Sequence, residues 1–233
     1  MKHGQLTGKR NLDTIICRCF DHVSKESQRK FVKKFRAQSH DSDQVLHTLR
    51  ELVLGAYLNS IGLGVQHDYV VDGKRPDWCI LDDVSTVIGI VELVNFHIDR
   101  TTETMIKEKA KTRLAVGFWR NGNKDNVGRL YDSIWNKARA YQDLAKKLEI
   151  PYVVAVFGES EACIDFDEVQ SCLHDEDTGL FNMYPEMSGV LYIEGGYPYV
   201  FKYEGNPDAL WAIHLPAGVF PAKGAGHMAE GSP

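Results

Sequence analysis

Two acidic residues stand where the surrounding sequence leaves little room for a bare charge. Glu92 lies inside Ile90-Val91-Glu92-Leu93-Val94, a run without polar alternation. An unpaired carboxylate buried there would cost several kcal/mol. It therefore needs a counter-charge, and two kinds would serve: a basic side chain, with Arg75 and Lys137 as candidates, or a hard divalent cation. Asp77, in Arg75-Pro76-Asp77-Trp78, opens the preceding apolar segment. Antiparallel pairing across the turn Asp82 to Thr86 would bring it towards Glu92. Two carboxylates on adjacent strand ends suit Mg²⁺, which commonly takes one or two carboxylates and completes its shell with water and substrate phosphate. The plain alternative for Asp77 is a turn aspartate bonded to its own backbone.

Lys137 interrupts an apolar stripe formed by Leu130, Ile134, Tyr141, Leu144 and Leu148. Its ammonium should point inward or along the helix edge; the alternative is a lysine whose stem covers apolar surface while its amine reaches water. Glu51 falls roughly opposite the main apolar stripe of its helix, on the side of His47, Leu54 and Leu58. An exposed helix glutamate is its plain reading. Asn95 and His97 follow the strand acid and would line a site there, although a strand-end histidine often serves structure. His67, Tyr69 and Lys74 come shortly before the motif, where nothing separates substrate contact from an ordinary exposed strand.

The elements that must position these residues follow from periodicity and punctuation. Ser24 is placed to cap a helix through about Arg36. Asp41 to Asp43 starts another, in which Val45, Leu46, Leu49, Leu52, Val53 and Ala56 recur at helical spacing until Gly62 and Gly64. Three extended segments follow, Val65 to Val71, Asp77 to Leu81 and Val87 to Phe96, with a hairpin turn at Asp72-Gly73. The third lacks alternation, as expected of a strand buried on both faces, and is read as the central strand. A charged helix over 100–115, a polar loop over 121–126 and a helix from Val127 to Leu148 lead to Pro151 and a buried strand, Tyr152 to Phe157. Behind these come a short helix at Asp165 to Leu173, a loop from Gly179 to Glu186, strands at Gly189 to Ile193 and Tyr199 to Tyr203, and an irregular tail from Pro216. Near the start, the apolar run Thr14 to Phe20 reads as a strand with Cys17 and Cys19 as small buried residues. The strand-helix-strand crossover from Val87 to Phe157 makes those two strands parallel and the fold class α/β.

Glu51 in Leu49-Arg50-Glu51-Leu52-Val53, then Pro76-Asp77, then Glu92, then Lys137 with Tyr141 before a buried strand, resembles the PD-(D/E)XK nuclease superfamily over residues 41–158. The resemblance implies a restriction-endonuclease-like core with a central mixed sheet flanked by helices. On this reading 1–40 is an N-terminal extension with a helix, and 159–233 adds accessory strands to the same domain. It also implies a metal-dependent hydrolase of phosphodiester bonds, with DNA a better candidate than RNA, or a relative that keeps the scaffold to bind nucleic acid or a protein. Asp77 and Glu92 would hold Mg²⁺, or alternatively Mn²⁺, with Glu51 joining through water. The family's lysine two residues after the strand acid is replaced here by Val94. Lys137 would supply it from the following helix, as some members do, and Tyr141 would line the site with Asn95 and His97.

Composition bounds this reading. The chain has 233 residues, a formal net charge of -5 and a pI of about 6.0, so attraction to phosphate must come from local positive surface. Basic residues cluster at Lys25 to Arg36 and Lys107 to Arg120, although such runs are usually solvated helix faces. Five cysteines at irregular spacing give no paired zinc motif and fit reduced thiols in a cytoplasmic protein. Neither a signal peptide nor a membrane-spanning apolar stretch is legible. Oligomeric state has no readable signal.

Overall fold

Three helices precede the sheet, and the second and third are each started by a residue suited to it. The computed structural model describes residues 6–97, Thr104, Glu108, 123–158 and 164–221. Helix α1 spans Arg10–Phe20 and occupies the run expected as a strand. Its buried residues Asp13, Ile16, Cys19 and Phe20 recur at steps of about three, which is a helical face, whereas a strand would have turned Cys17 and Cys19 to the same side. In α2, Lys25–Gln38, the Ser24 hydroxyl accepts from the Ser27 amide. In α3, Ser42–Ser60, the Asp41 carboxylate accepts from the amides of Asp43 and Gln44. Both caps answer backbone donors that the first turn leaves without partners.

The first strands form an antiparallel set. Strand β1, Gly64–His67, pairs with β2, Trp78–Leu81, which pairs with β3, Val87–Phe96. β1 is shorter than expected because Asp68 takes a positive φ of 56° and leaves the ladder. The chain then turns back through Asp72 and Gly73, at φ 47° and 76°, while Val71 and Lys74 exchange both backbone hydrogen bonds. That is the two-residue turn whose twist suits a hairpin.

Of the charged helix expected over 100–115, only Thr104 and Glu108 are described, and both are helical. Helix α4 runs Asn123–Leu148. It therefore begins inside the stretch expected as a loop. Strand β4, Tyr152–Gly158, returns parallel to β3 as the crossover required. Helices α5, Phe166–His174, and α6, Leu180–Met183, lead to β5, Met187–Glu194, parallel to β4. Strands β6, Tyr199–Gly205, and β7, Gly218–Phe220, complete the sheet antiparallel. β7 lies within the tail expected to be irregular, where Tyr57 donates to the Pro216 carbonyl beside it.

The result is an α/β fold: a mixed sheet of seven strands in sequence order, flanked by helices. β4, rather than β3, is the middle strand. Strand alternation divides the core. Val91 and Leu93 join Val153 and Ala155 beneath α1 to α3, while Ile90 and Val94 join Val154 and Val156 beneath α4 and α5. No described helix is long and apolar enough to cross a membrane.

Trp78 fastens α3 to β2. It is fully buried, its indole N–H donates to the Glu51 carbonyl at 2.9 Å, and its ring lies over Gly55, where an added Cβ would come within 1.9 Å of it. Gly55→Ala should displace that ring and with it the neighbouring Asp77, at a cost of about 3 kcal/mol. Thermal unfolding of this variant should shift down by roughly 6–12 °C; an unchanged transition would contradict the packing described.

Candidate active site

Asp77 and Glu92 meet where the β2–β3 ladder gives out. Trp78 pairs with Val91 in that ladder, so Asp77 falls opposite Glu92 as the turn geometry required. Each side chain captures the other strand's backbone: the Asp77 amide donates to Glu92 Oε1 at 2.9 Å, and the Leu93 amide donates to Asp77 Oδ2 at 2.8 Å. Glu92 is 2% exposed and Asp77 half-buried. Asp77 is thus not a turn aspartate bonded to its own segment.

Lys137 comes to this pair from α4. Its Nζ lies 2.6 Å from Glu92 Oε2 and 3.8 Å from Asp77 Oδ2. The two countercharges considered for Glu92 are therefore not exclusive at this place: a lysine is present, but it is shared by two acids. Glu92 and Val94 face α4, so a lysine on that helix reaches the carboxylates although Val94 itself packs in the apolar cluster with Leu130 and Ile134. Tyr141, one turn on, donates to the Arg75 carbonyl at 3.3 Å, and its ring lies 5.9 Å from that of Tyr152. Arg75 is not the partner of Glu92 in any described contact.

The charges respond to this crowding. Burial, reinforced by Asp77, raises the Glu92 pKa despite the lysine beside it. Burial works against the Lys137 ammonium, yet Glu92 and Asp77 outweigh it and hold its pKa above the usual lysine range. Burial together with Glu92 also pushes the Tyr141 phenol up. The trio therefore has two acids for one fixed ammonium.

Asn95, at the end of β3, and His97 beyond it line a cleft of about 470 Å³ with Val94, His47 of α3, and Ser133, Asn136 and Lys137 of α4. The structure thus brings Asn95, His97 and Lys137 to one opening. Glu51 lies elsewhere, in the layer of α3. It is buried rather than exposed, and its carboxylate is held by His47 Nε2 at 3.1 Å, His67 Nε2 at 3.1 Å and Lys34 Nζ at 3.0 Å. Although burial opposes the charge, those three donors bring its pKa well below the usual carboxylate range. Because the carboxylate accepts, Nε2 of His67 carries the hydrogen; its Nδ1 finds no partner among the described residues. His67, at the end of β1, is thus a buried support for Glu51.

Among the described residues, no group of three or more His, Cys, Asp or Glu side chains converges on one point as a metal would require. The strand pair Asp77 and Glu92 fits a cation by its charge and convergence, whereas Glu51 makes no contact with either. Sequence reading missed Ser133 and Asn136. For Ser133 a signal existed, since it precedes Lys137 by four residues and so shares its side of the helix. Compared with protein-family profiles, curated proteins and solved structures, the chain matches none.

Two outcomes follow for stability. Lys137→Met leaves Glu92 buried beside Asp77 without the ammonium, which should cost about 3 kcal/mol at pH 8. Because the folded-state pKa of Glu92 is raised, its contribution declines as pH rises above the ordinary glutamate range. Urea midpoints should therefore show the variant's deficit shrinking at pH 5; an equal deficit at both values would contradict the assignment. For Glu51 the sign reverses, since a depressed folded pKa gives stability above the ordinary range that is lost on acidification. Glu51→Gln should lose more stability at pH 7 than at pH 3 by the same measurement.

Proposed function

We propose that this chain is a metal-dependent nuclease of the PD-(D/E)XK kind that hydrolyses phosphodiester bonds, with DNA as its substrate. The observation that carries the reading is the shared lysine: Lys137 Nζ stands 2.6 Å from Glu92 and 3.8 Å from Asp77. The order helix, three antiparallel strands, helix and parallel strand, into which these residues fall, agrees with it. So does a cleft that opens at the lysine. A cytoplasmic setting suits the described cysteines, which are free thiols.

Asp77 and Glu92 would hold Mg²⁺ or Mn²⁺, which when bound lowers the pKa of a coordinated water and neutralises phosphate charge. The raised proton affinity of Glu92 reflects its burial and then the charge of Asp77, and a cation held between the acids would relieve that charge as a proton does. Lys137, whose pKa is held up, keeps its proton at neutral pH. It therefore acts by donating hydrogen bonds, orienting the attacking water and stabilising the charge that builds on the phosphate. It is not a general base. Tyr141 and Tyr152, packed beside the carboxylates, hold that end of the site in place, with the Tyr152 hydroxyl donating to the Lys137 carbonyl at 2.8 Å.

Val94 supports a second reading, a binding scaffold without hydrolysis, because it carries no charge at the position where the family usually has its lysine. The two separate in one set of assays. With Mg²⁺ or Mn²⁺ the wild-type protein should cleave labelled DNA, and Asp77→Asn or Glu92→Gln should remove both cleavage and metal-induced thermal stabilisation. Lys137→Ala should lower kcat by about 10²- to 10³-fold. It should nevertheless keep or enlarge the metal-induced shift, because the ammonium no longer competes for the acids. Salt-sensitive DNA binding with no cleavage in any metal would establish the scaffold reading instead.

A further inference from the structure

Folding sorts the basic run of α2 into two sides. Phe31 and Phe35 are buried with Ser27 and Gln28, and the Gln28 side-chain amide donates to the carbonyls of Phe20 at 2.6 Å and Val23 at 3.0 Å, which fixes the helix against the chain before it. Lys30 and Lys34 are drawn into contacts with the rest of the fold: Lys30 reaches the His67 carbonyl at 3.2 Å and Glu26 at 3.2 Å, and Lys34 reaches Glu51 at 3.0 Å. The other four cations, Lys25, Arg29, Lys33 and Arg36, follow at steps of four, four and three, so they share one side of the helix. All four are exposed, away from the buried phenylalanines.

Among the described residues, the charged ends of Arg29, Lys33 and Arg36 enter no ion pair, and that of Lys25 meets the neutral Gln28 side chain at 3.2 Å. The single acid of α2, Glu26, is taken up by Lys30 and by Gln66 of β1. Like charges three and four residues apart repel and weaken a helix. α2 nevertheless keeps a row of them, in a chain of net charge -5. An anion laid along the row would relieve that repulsion. At 1.5 Å per residue the row extends about 16 Å, and a duplex strand carries a phosphate about every 3.4 Å of its axis, so each cation can meet one. The helix that bears the row is also tied to the cleft wall, because Lys34 holds Glu51 and Glu51 holds His47, which lines the cleft with Lys137.

We infer that Lys25, Arg29, Lys33 and Arg36 form a docking row for the sugar-phosphate backbone of duplex DNA. Contacts of this kind position the duplex and carry no sequence information. The choice of DNA among polyanions rests on reading the cleft as a phosphodiester site, but docking can be measured without metal and apart from hydrolysis.

The test is fluorescence anisotropy of a labelled DNA duplex in EDTA, with the full chain, from about 50 to about 200 mM salt. The double variant Arg29→Gln/Lys33→Gln should weaken binding about tenfold at the low-salt end and reduce the salt slope by about two. Its thermal unfolding should match that of the wild-type protein, since both side chains are exposed. The control Lys146→Gln/Lys202→Gln removes the same charge from the other face of the sheet, where Lys146 belongs to α4 and Lys202 lies over Phe166 of α5, and should bind as the wild-type protein does. Wild-type affinity in the α2 variant, an equal loss in the control, or no DNA binding by the wild-type protein would each overturn the row. So would row-dependent binding to phosphatidylserine vesicles by a protein that does not bind DNA. Row-dependent DNA binding without cleavage in any metal would support the row while removing the hydrolase reading, and metal-dependent cleavage with wild-type affinity in the α2 variant would do the reverse.

Discussion

A carboxylate buried in a sheet interior must have both oxygens answered, because the low dielectric that surrounds it makes each unanswered lone pair costly. Glu92 meets that demand with two partners of different origin, the Asp77 amide across the strand pair and the Lys137 ammonium from a helix laid over it. The first partner holds together the end of the β2–β3 ladder, where side-chain carboxylates take up backbone amides that no further strand pairing would satisfy. The second sets the height of α4 on the sheet, since the ammonium must come down at Glu92 while Leu130, Ile134 and Leu144 pack into the apolar layer around it. Strand pairing, helix placement and the cleft at the helix edge thus all depend on how one acid is neutralised.

Glu51 shows by contrast what a satisfied acid looks like. It is buried as Glu92 is, yet it is answered by two histidines and a lysine, and its pKa moves down where that of Glu92 moves up. Sharing is the reason: Glu92 and Asp77 divide a single ammonium. The sheet separates the two acids, and His47 links their surroundings by bonding Glu51 through Nε2 and Asn95 through Nδ1. Only the strand pair retains the excess negative charge that would draw in a cation, so the distribution of basic partners, more than the distribution of acids, distinguishes the candidate metal site from a buried ion cluster.

Much of this was legible in the sequence because strand registers and helix stripes are local properties. Glu92 stood out by the dryness of its neighbours, Asp77 by the turn that separates it from Glu92, and Lys137 by the gap it makes in an apolar repeat. The plain reading of Glu51 as an exposed helix residue fails because its second burying surface is α2, which packs on α3 from outside the helix's own periodicity. The same tertiary context hid the strand-to-helix difference at Thr14 to Phe20, where a run of seven apolar and polar residues is too short for periodicity to decide. The expected basic run Lys25 to Arg36 also changes character on folding: Lys30 and Lys34 turn towards His67 and Glu51, so part of its charge is spent inside the molecule.

Stability alone gives a poor account of the Asp77, Glu92 and Lys137 trio. Buried ion pairs are seldom better than well-packed apolar residues of similar volume, and replacing such groups is often neutral or stabilising. The rest of this sheet illustrates the alternative, for β4 runs buried from end to end with hydrocarbon and aromatic side chains and no charge at all. A fold that needed only to join β2, β3 and α4 could have used the same means at Glu92. It keeps instead two acids for one lysine, half-opened to a cleft. Negative charge left undercompensated at that place is the physical content of the proposed cation site, and it depends on no single residue's resemblance to a motif.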